Sequence, residues 1–429
     1  MLIYVVLGIF LITYAILFIR KIGSHAVPVW LSMVVGAILM VATSSISPLA
    51  AYRSIDFRVI SFLFGMLVIA VAFEKSGLIE YFVLSVLRRA KNAETLLLAI
   101  VFGSGLLSAI LVNDTIALLV TPMVLSFGAR LGLKKSKAFL LPLAFGITTG
   151  SAISPIGNPQ NLLVTLDSGI QDPFAKFLTY LLPPALLSLL VVFFVCKFLY
   201  RHELRGIASS FSSFGDDPSS AIADRRLARL TLYVLGALIL GFALVEIFPV
   251  LQTIGLSIDM LALIAGLTLL ALSEKRTYLL VSLNWGILIF FAGMFVVMGA
   301  VWSSGIGDYI LSAIPPPVLG NRIQSVASIM TSSTILSQVL SNVPFVQLYS
   351  YQMVALGFNS TAYAQWLALA AGATLAGNLT VLGAVSNVII MDSALTRGAD
   401  GFSFREFLKA GIPVTVATVL IFYVFLALL

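Results

Sequence analysis

The stretch Ser154-Pro155-Ile156-Gly157-Asn158-Pro159-Gln160-Asn161 interrupts an apolar run that is long enough to cross a membrane. Pro and Gly at this density break a helix, and the break frees backbone N–H and C=O groups from their helical partners. Lipid cannot satisfy those groups, so such a break persists within a membrane only where it lines an internal cavity. The stretch therefore predicts a discontinuous helix beside a binding site.

The second half of the chain repeats this pattern. Before its break the first half has Val112-Asn113-Asp114-Thr115, and the second half has Ser341-Asn342-Val343-Pro344, then Gly377-Asn378, Gly383 and Asn387. Matching residues keep a nearly constant separation: Gly65 and Gly293 are 228 residues apart, and Gly157 and Gly383 are 226 apart. Interrupted segments at matching places in two repeats point to the substrate site of a transporter.

The composition is that of a membrane protein. The chain is 60% hydrophobic and 10% charged, with a mean hydropathy of +1.09, whereas a soluble domain is about 45–50% apolar and about 25% charged. We predict an all-α polytopic membrane protein with about 10 transmembrane spans of about 20 residues each. A single cysteine, Cys196, excludes a disulfide framework and any site built from several cysteines.

We predict two inverted repeats, residues 1–200 and 229–429, joined by a cytoplasmic linker over 201–228. Each repeat has three spans, a re-entrant hairpin and two more spans, of which the first is broken at the membrane midplane. The hairpins are expected over 94–128 and 323–356, and the broken spans over 138–166 and 361–391. Five net crossings in each repeat invert the second repeat relative to the first.

Charge supports this topology. The formal net charge of +7 would suit nucleic acid, but membrane proteins also keep Lys and Arg in cytoplasmic loops. With the N-terminus outside, the predicted inside segments hold 21 of the 25 Lys and Arg residues, and the outside keeps Arg53, Arg58, Lys176 and Arg322. We therefore expect a multi-pass protein of the plasma (inner) membrane, with both termini outside and no nucleic-acid partner.

The breaks supply helix ends for binding. Asn158-Pro159 is typical of a helix restart, because Asn is a strong N-cap and Pro is favoured at the first helical position. Asn113 or Asp114, and Asn342, are expected to cap the helices that follow them. Buried helix N-termini suit an anionic ligand, and the carbonyls across each break suit Na⁺, which we expect near Asn113, Asn158, Asn342 and Asn378. A simple kink is the alternative for any one break.

Asp114 is the carboxylate placed at a hairpin tip. An intramembrane carboxylate is costly and is a functional candidate, here one that carries a proton or exchanges it for Na⁺. The alternative is a structural cap. No Ser/His/Asp set, phosphate loop or HExxH occurs, so we expect no enzyme. No Lys or Arg lies deep in a span, so an anionic substrate would depend on helix ends and amides.

At these residues the chain resembles the ion transporter superfamily, which includes arsenite efflux pumps, sodium–proton antiporters and sodium-coupled dicarboxylate or citrate carriers. The resemblance covers nearly the whole chain and implies a scaffold domain, in a homodimer, beside a transport domain that carries substrate by an elevator-like movement. The substrate and ion site implied by motif comprises Asn113, Asp114, Thr115, Gly157, Asn158 and Asn161 from the first repeat, and Ser341, Asn342, Gly377, Asn378, Thr380, Gly383 and Asn387 from the second.

The hairpin tips depart from the dicarboxylate carriers, which have Ser-Asn-Thr at both. Here the tips are Val112-Asn113-Asp114 and Ser341-Asn342-Val343, and the added carboxylate would repel a dianion. Asn-Asp at the first tip looks more like the arsenite pumps, which exchange neutral As(OH)₃ or Sb(OH)₃ for protons.

We therefore expect secondary active transport of a small ion or solute coupled to H⁺ or Na⁺, and no other cofactor. Arsenite or antimonite efflux by proton antiport is the leading hypothesis. The alternatives are Na⁺/H⁺ antiport and sodium-coupled carriage of a carboxylate such as citrate, with a passive channel more remote. No nucleotide-binding motif appears, so coupling to ATP would need a separate ATPase chain.

Overall fold

A computed structural model of the chain describes residues 2–18, 21–22, 25–26, 28–131, 137–205, 217–312 and 316–428. The predicted inside charges Arg20, Lys134 and Lys135, and residues 206–216 of the predicted linker, lie outside these ranges. The described residues are helical apart from loops and a two-residue antiparallel ladder, in which β1 (Lys21–Ile22) pairs with β2 (His25–Ala26). The predicted all-α fold is confirmed.

The first half of the described chain contains eleven α-helices. They are α1 (Leu2–Phe18), α2 (Val29–Ala42), α3 (Pro48–Ser54), α4 (Phe57–Ser76), α5 (Leu78–Leu87), α6 (Ala93–Ile110), α7 (Asn113–Arg130), α8 (Lys137–Ser151), α9 (Pro159–Ser168), α10 (Pro173–Leu199) and α11 (Arg201–Arg205). A 3₁₀ turn, Pro218–Ala221, then precedes the second half.

The second half follows the same order of long helices and breaks. Its helices are α12 (Arg225–Ile247), α13 (Val250–Thr253), α14 (Ile258–Leu272), α15 (Arg276–Ser282), α16 (Trp285–Ser303), α17 (Ile306–Ser312), α18 (Arg322–Leu340), α19 (Asn342–Ala355), α20 (Tyr363–Ala376), α21 (Val385–Thr396) and α22 (Phe404–Leu428). The inverted orientation of the halves and the exact repeat boundaries stay predictions.

Six helices in the described ranges are long and apolar enough to cross a membrane: α4, α6, α10, α12, α16 and α22. Other apolar helices, among them α2 and α14, are shorter, at 14 and 15 residues. The predicted broken spans each consist of two short helices, α8 with α9 and α20 with α21. None of these four helices reaches membrane-spanning length alone.

Two close helix crossings join the halves. Helix α4 packs on α14, where a Cβ atom on Gly65 would lie 2.0 Å from the carbonyl oxygen of Ala262. Helix α2 packs on α16, where a Cβ on Gly293 would lie 2.8 Å from the carbonyl carbon of Met33. Small residues let helix backbones approach closely where no hydrophobic force drives association in lipid. The matched glycines thus form equivalent contacts.

Helices α8 and α20 lie at the centre of the protein. Every residue of α8 from Ala138 to Ser151 is buried, as is every residue of α20 from Ala364 to Ala376. A helix that is apolar all round is covered on all sides. Helix α6 covers α8, and α18 covers α20, so each hairpin packs against the broken span of its own half.

Charged pairs join the ends of α12 and α14. Asp224 accepts hydrogen bonds from the backbone N–H groups of Arg226 and Leu227 and pairs with Lys275 at 2.7 Å. The Leu227 hydrogen bond, followed by the one from Lys275, holds the pKa of Asp224 below its usual range. Arg226 pairs with Glu274 beside it. The carboxylate of Asp224 therefore stays charged, and keeps α12 capped, to lower pH than a free aspartate would.

Candidate functional site

The first break lies between α8 and α9. Asn158 caps α9: its Oδ1 accepts a hydrogen bond from the backbone N–H of Asn161 at 2.9 Å, and Pro159 occupies the first helical position. The predicted helix restart at Asn158-Pro159 is confirmed. The Nδ2 group of Asn158 donates to the hydroxyls of Ser151 and Thr374 at 3.0 and 3.1 Å. This side chain thus ties the first break to α20.

Equivalent amides brace the two breaks. Asn161 donates from Nδ2 to the carbonyl oxygens of Ser151 and Ser154 at 3.1 and 2.9 Å. Asn387 donates from Nδ2 to the carbonyl oxygens of Gly377 and Thr380 at 2.7 and 3.4 Å. Each donor and acceptor of the first set is 226 residues before its counterpart. The separation found in the sequence therefore recurs in the hydrogen bonds.

The second break differs in its unsatisfied oxygens. In the first break the Thr374 hydroxyl donates to Asn161 Oδ1 at 3.1 Å. The counterparts Thr148 Oγ1 and Asn387 Oδ1 are buried and have no hydrogen-bond partner in the described part of the chain, and neither has Asn378 Oδ1. A buried unsatisfied polar group costs about 1–3 kcal/mol. Oxygen ligands of this kind suit Na⁺, whereas the amide oxygens of the first break are already used as acceptors.

The hairpin tips are short breaks between paired helices. Helix α7 begins at Asn113, whose Oδ1 accepts from the next backbone N–H at 2.9 Å, and Val112 occupies the N-cap position without a side-chain bond. Helix α19 begins at Asn342, and Ser341, with a φ of +62°, occupies its N-cap, again without one.

The prediction that Asn113 or Asp114, and Asn342, cap these helices is wrong. Asn113 and Asn342 are themselves the first helical residues, after the N-cap positions Val112 and Ser341. Other elements contact the tips. The backbone N–H of Asn113 donates to the carbonyl oxygen of Gly157 at 3.0 Å. The hydroxyl of Tyr14 donates to the carbonyl oxygen of Leu340 at 2.7 Å.

A cavity of about 320 Å³ lies where the two tips meet the starts of α9 and α21. The first turns of α2 and α16 form another side of the cavity. Four predicted site residues line it: Asn113, Asp114, Ser341 and Asn342. The others do not line it, namely Thr115, Gly157, Asn158, Asn161, Gly377, Asn378, Thr380, Gly383 and Asn387. The breaks therefore support the cavity, and the hairpin tips face it.

Three polar wall residues were not predicted from the sequence. Gln160 lies in the first turn of α9, and Trp30 and Asn284 lie at the starts of α2 and α16. Gln160 is 3% exposed and its Nε2 donates to the Thr374 hydroxyl at 3.4 Å. Its position next to Asn158-Pro159 was a usable signal. Trp30 and Asn284 carry no comparable signal, because packing of distant helices brings them to the cavity.

Asp114 is the charged residue of the cavity wall, and no Lys or Arg lines it. Its carboxylate is partly buried and takes part in no ion pair within the described ranges. Amides, a serine hydroxyl and aromatic or aliphatic side chains make up the rest of the wall. A wall with one negative charge favours a cation or a neutral hydrogen-bonding solute over a multivalent anion.

A family model described as "Citrate transporter" matches residues 14–372 of the chain. The chain belongs to the citrate transporter family. An uncharacterized transporter of Mycobacterium tuberculosis strain H37Rv is 30% identical over 382 residues, covering 87% of this chain and 86% of the relative. The silicon efflux transporter LSI3 of Oryza sativa subsp. japonica is 26% identical over 432 residues, covering 89% and 88%.

A solved structure has the same fold. The crystal structure of the Alcanivorax borkumensis YdaH transporter matches with a TM-score of 0.53 and 16% identity, covering 86% of this chain and 84% of that one. The family match and the relatives show that this citrate transporter family member is a membrane transporter, and its long apolar helices make it multi-pass. The resemblance to the ion transporter superfamily is confirmed. The chain's relatives are transporters, in keeping with the expectation that it is not an enzyme.

Proposed function

We propose that this citrate transporter family member exports a small neutral hydroxylated solute in exchange for protons, with arsenite or antimonite as the leading candidate. The observation that carries the proposal is the cavity wall, in which Asp114 stands among amides and a hydroxyl without a cationic partner. As(OH)₃ offers hydroxyl donors to the carboxylate of Asp114 and oxygen acceptors to the amides of Asn113 and Asn342.

Asp114 is the coupling group in this proposal. A charged carboxylate at this depth is costly unless it binds a proton or a hydrogen-bonding solute, so the two compete for it. After the solute leaves on one side of the membrane, a proton binds Asp114. The neutral, solute-free site then returns to the other side. The name of the rice relative, a silicon efflux transporter, supports a solute of this class, because dissolved silicon is also a neutral hydroxide.

Sodium coupling is the second candidate, either as Na⁺/H⁺ antiport or as sodium-driven uptake of citrate or another carboxylate. The unsatisfied oxygens of Thr148, Asn378 and Asn387 favour a Na⁺ site at the second break. The family description favours a carboxylate. An anion in the cavity would depend mainly on the N-terminus of α19, whose N-cap residue Ser341 makes no side-chain cap hydrogen bond, because the first two backbone N–H groups of α7 already bond Gly157 and the side chain of Asn113.

The hairpins, broken spans and cavity move as a transport domain against a scaffold that forms a homodimer, in an elevator-like manner, within the plasma membrane and with both termini outside. The tight crossings of α4 with α14 and of α2 with α16 support a rigid scaffold. The bilayer and the solute are the partners this requires, and an ATPase chain is compatible with it.

Proton flux in everted vesicles tests the function. Vesicles containing the protein and a pH-sensitive dye receive arsenite, Na⁺ or citrate in turn, with citrate added alone and with Mg²⁺ to lower its charge. We expect arsenite to drive proton movement that vesicles lacking the protein do not give. Proton movement driven by Na⁺ alone would select the antiporter, and silence with arsenite but accumulation of citrate would overturn arsenite export. Downhill leak without proton movement would indicate a channel.

A further inference from the structure

A second depression lies outside the central cavity. It is an open groove of about 570 Å³ between the start of α6 and the junction of α10 with α11. It shares no lining residue with the central cavity. The side chains that give it its chemistry are Glu94, Phe194, Lys197, Phe198, Arg201 and Arg205. Nothing in the transport proposal uses them.

The groove has an excess of positive charge. Lys197, Arg201 and Arg205 are spaced four residues apart, which places them on one side of the α10–α11 segment. Lys197 Nζ pairs with Glu94 Oε2 at 2.7 Å. Arg201 and Arg205 are exposed and form no ion pair within the described ranges. Two guanidinium groups therefore remain available to an anion.

Aromatic rings continue the groove toward the apolar part of α10. Phe194 and Phe198 are 60% and 69% exposed on a helix that is apolar and long enough to span a membrane. The guanidinium of Arg201 stands 5.4 Å from the Phe198 ring centroid. Cations therefore adjoin exposed hydrophobic surface at one end of a membrane helix, which is where phospholipid headgroups and acyl chains meet.

We propose that this groove binds an anionic phospholipid, such as phosphatidylglycerol or cardiolipin. The phosphate is held by Arg201 and Arg205, since guanidinium groups bind phosphate oxygens in a bidentate manner. The acyl chain lies along Phe194 and Phe198. Free phosphate would use only the cations, so the exposed rings favour a lipid over an inorganic ion. The site is independent of the transported solute.

Native mass spectrometry of the full chain tests this site. The protein is purified in detergent and given equal amounts of phosphatidylglycerol, cardiolipin and phosphatidylcholine. We expect the wild type to retain the two anionic lipids in preference to phosphatidylcholine. The double variant Arg201→Gln/Arg205→Gln should reduce this preference about 30-fold, since two cations near an anionic headgroup contribute about 1 kcal/mol each.

Matched variants make the result specific. Arg225→Gln/Arg229→Gln removes two exposed cations at the start of α12, outside the groove, and should leave lipid retention unchanged. Arg205→Gln alone provides a milder change if the double variant folds poorly, and should lower retention severalfold. Equal losses of anionic-lipid retention in both double variants would show that lipid binding depends only on overall charge, and would overturn the site. Competition by inorganic phosphate as strong as by lipid would also overturn it, in favour of an ion site.

Discussion

Asp114→Asn should reduce solute-driven proton movement in everted vesicles to the level of vesicles without the protein. The amide has the size of the carboxylate and keeps its acceptor oxygen, but it cannot take up a proton in exchange for solute. The side chain is partly buried at the cavity and caps no helix, so its replacement should leave folding and membrane insertion intact. Yield and elution profile from detergent check this second expectation.

A second buried carboxylate, outside the cavity, provides the control for loss of a buried charge. Asp259 is 5% exposed near the start of α14 and does not line the cavity. Asp259→Asn should therefore retain proton movement that depends on the solute, whatever it does to stability. Unchanged pH-dependent transport in Asp114→Asn would remove Asp114 from the coupling step and leave proton binding to another group.

Gly150→Ala should abolish most of the folded protein. A Cβ at Gly150 would lie 2.2 Å from the carbonyl oxygen and 2.3 Å from the Cα of Gly105, so α6 and α8 cross with their backbones in contact. Overpacking of a close contact costs about 3 kcal/mol or more when backbone has to move. Here α8 cannot shift freely, because Ser151 at its end holds the side chains of Asn158 and Asn161.

Gly236→Ala is the control for that substitution. Gly236 lies within α12, and nothing lies within 4 Å of the position its Cβ would take. Alanine is favoured over glycine in a helix by about 1 kcal/mol, so this variant should equal or exceed the wild type in thermal stability. The midpoint of thermal aggregation in detergent measures the stability of both variants. A wild-type midpoint for Gly150→Ala would contradict the close crossing of α6 and α8.

The sequence predicted those features that depend on local preferences. The restart at Asn158-Pro159 is of this kind, since an N-cap and a first-turn proline act within one turn. The conformation of the hairpin tips does not depend on local preferences alone. Residues far along the chain hold them, as in the hydrogen bonds from Asn113 to Gly157 and from Tyr14 to Leu340, which no local pattern predicts.

The cavity was predicted only in part for a similar reason. Asn158 and Asn161 were expected to bind ligand, but their side chains are engaged in hydrogen bonds that hold the first break together. The walls at Trp30 and Asn284 come from α2 and α16, which pack together across more than 240 residues of sequence. A repeat pattern marks broken helices but not the helices that close the cavity over them.

Exchange of solute and proton at Asp114 requires that solute binding release a proton. Calorimetric titration of arsenite into the purified protein, in buffers of different ionisation enthalpy, counts the protons displaced for each solute bound. We expect arsenite to displace protons from the wild type near neutral pH and to displace none from Asp114→Asn. Equal proton release from both proteins, or arsenite binding without any release from the wild type, would contradict exchange of solute and proton at Asp114.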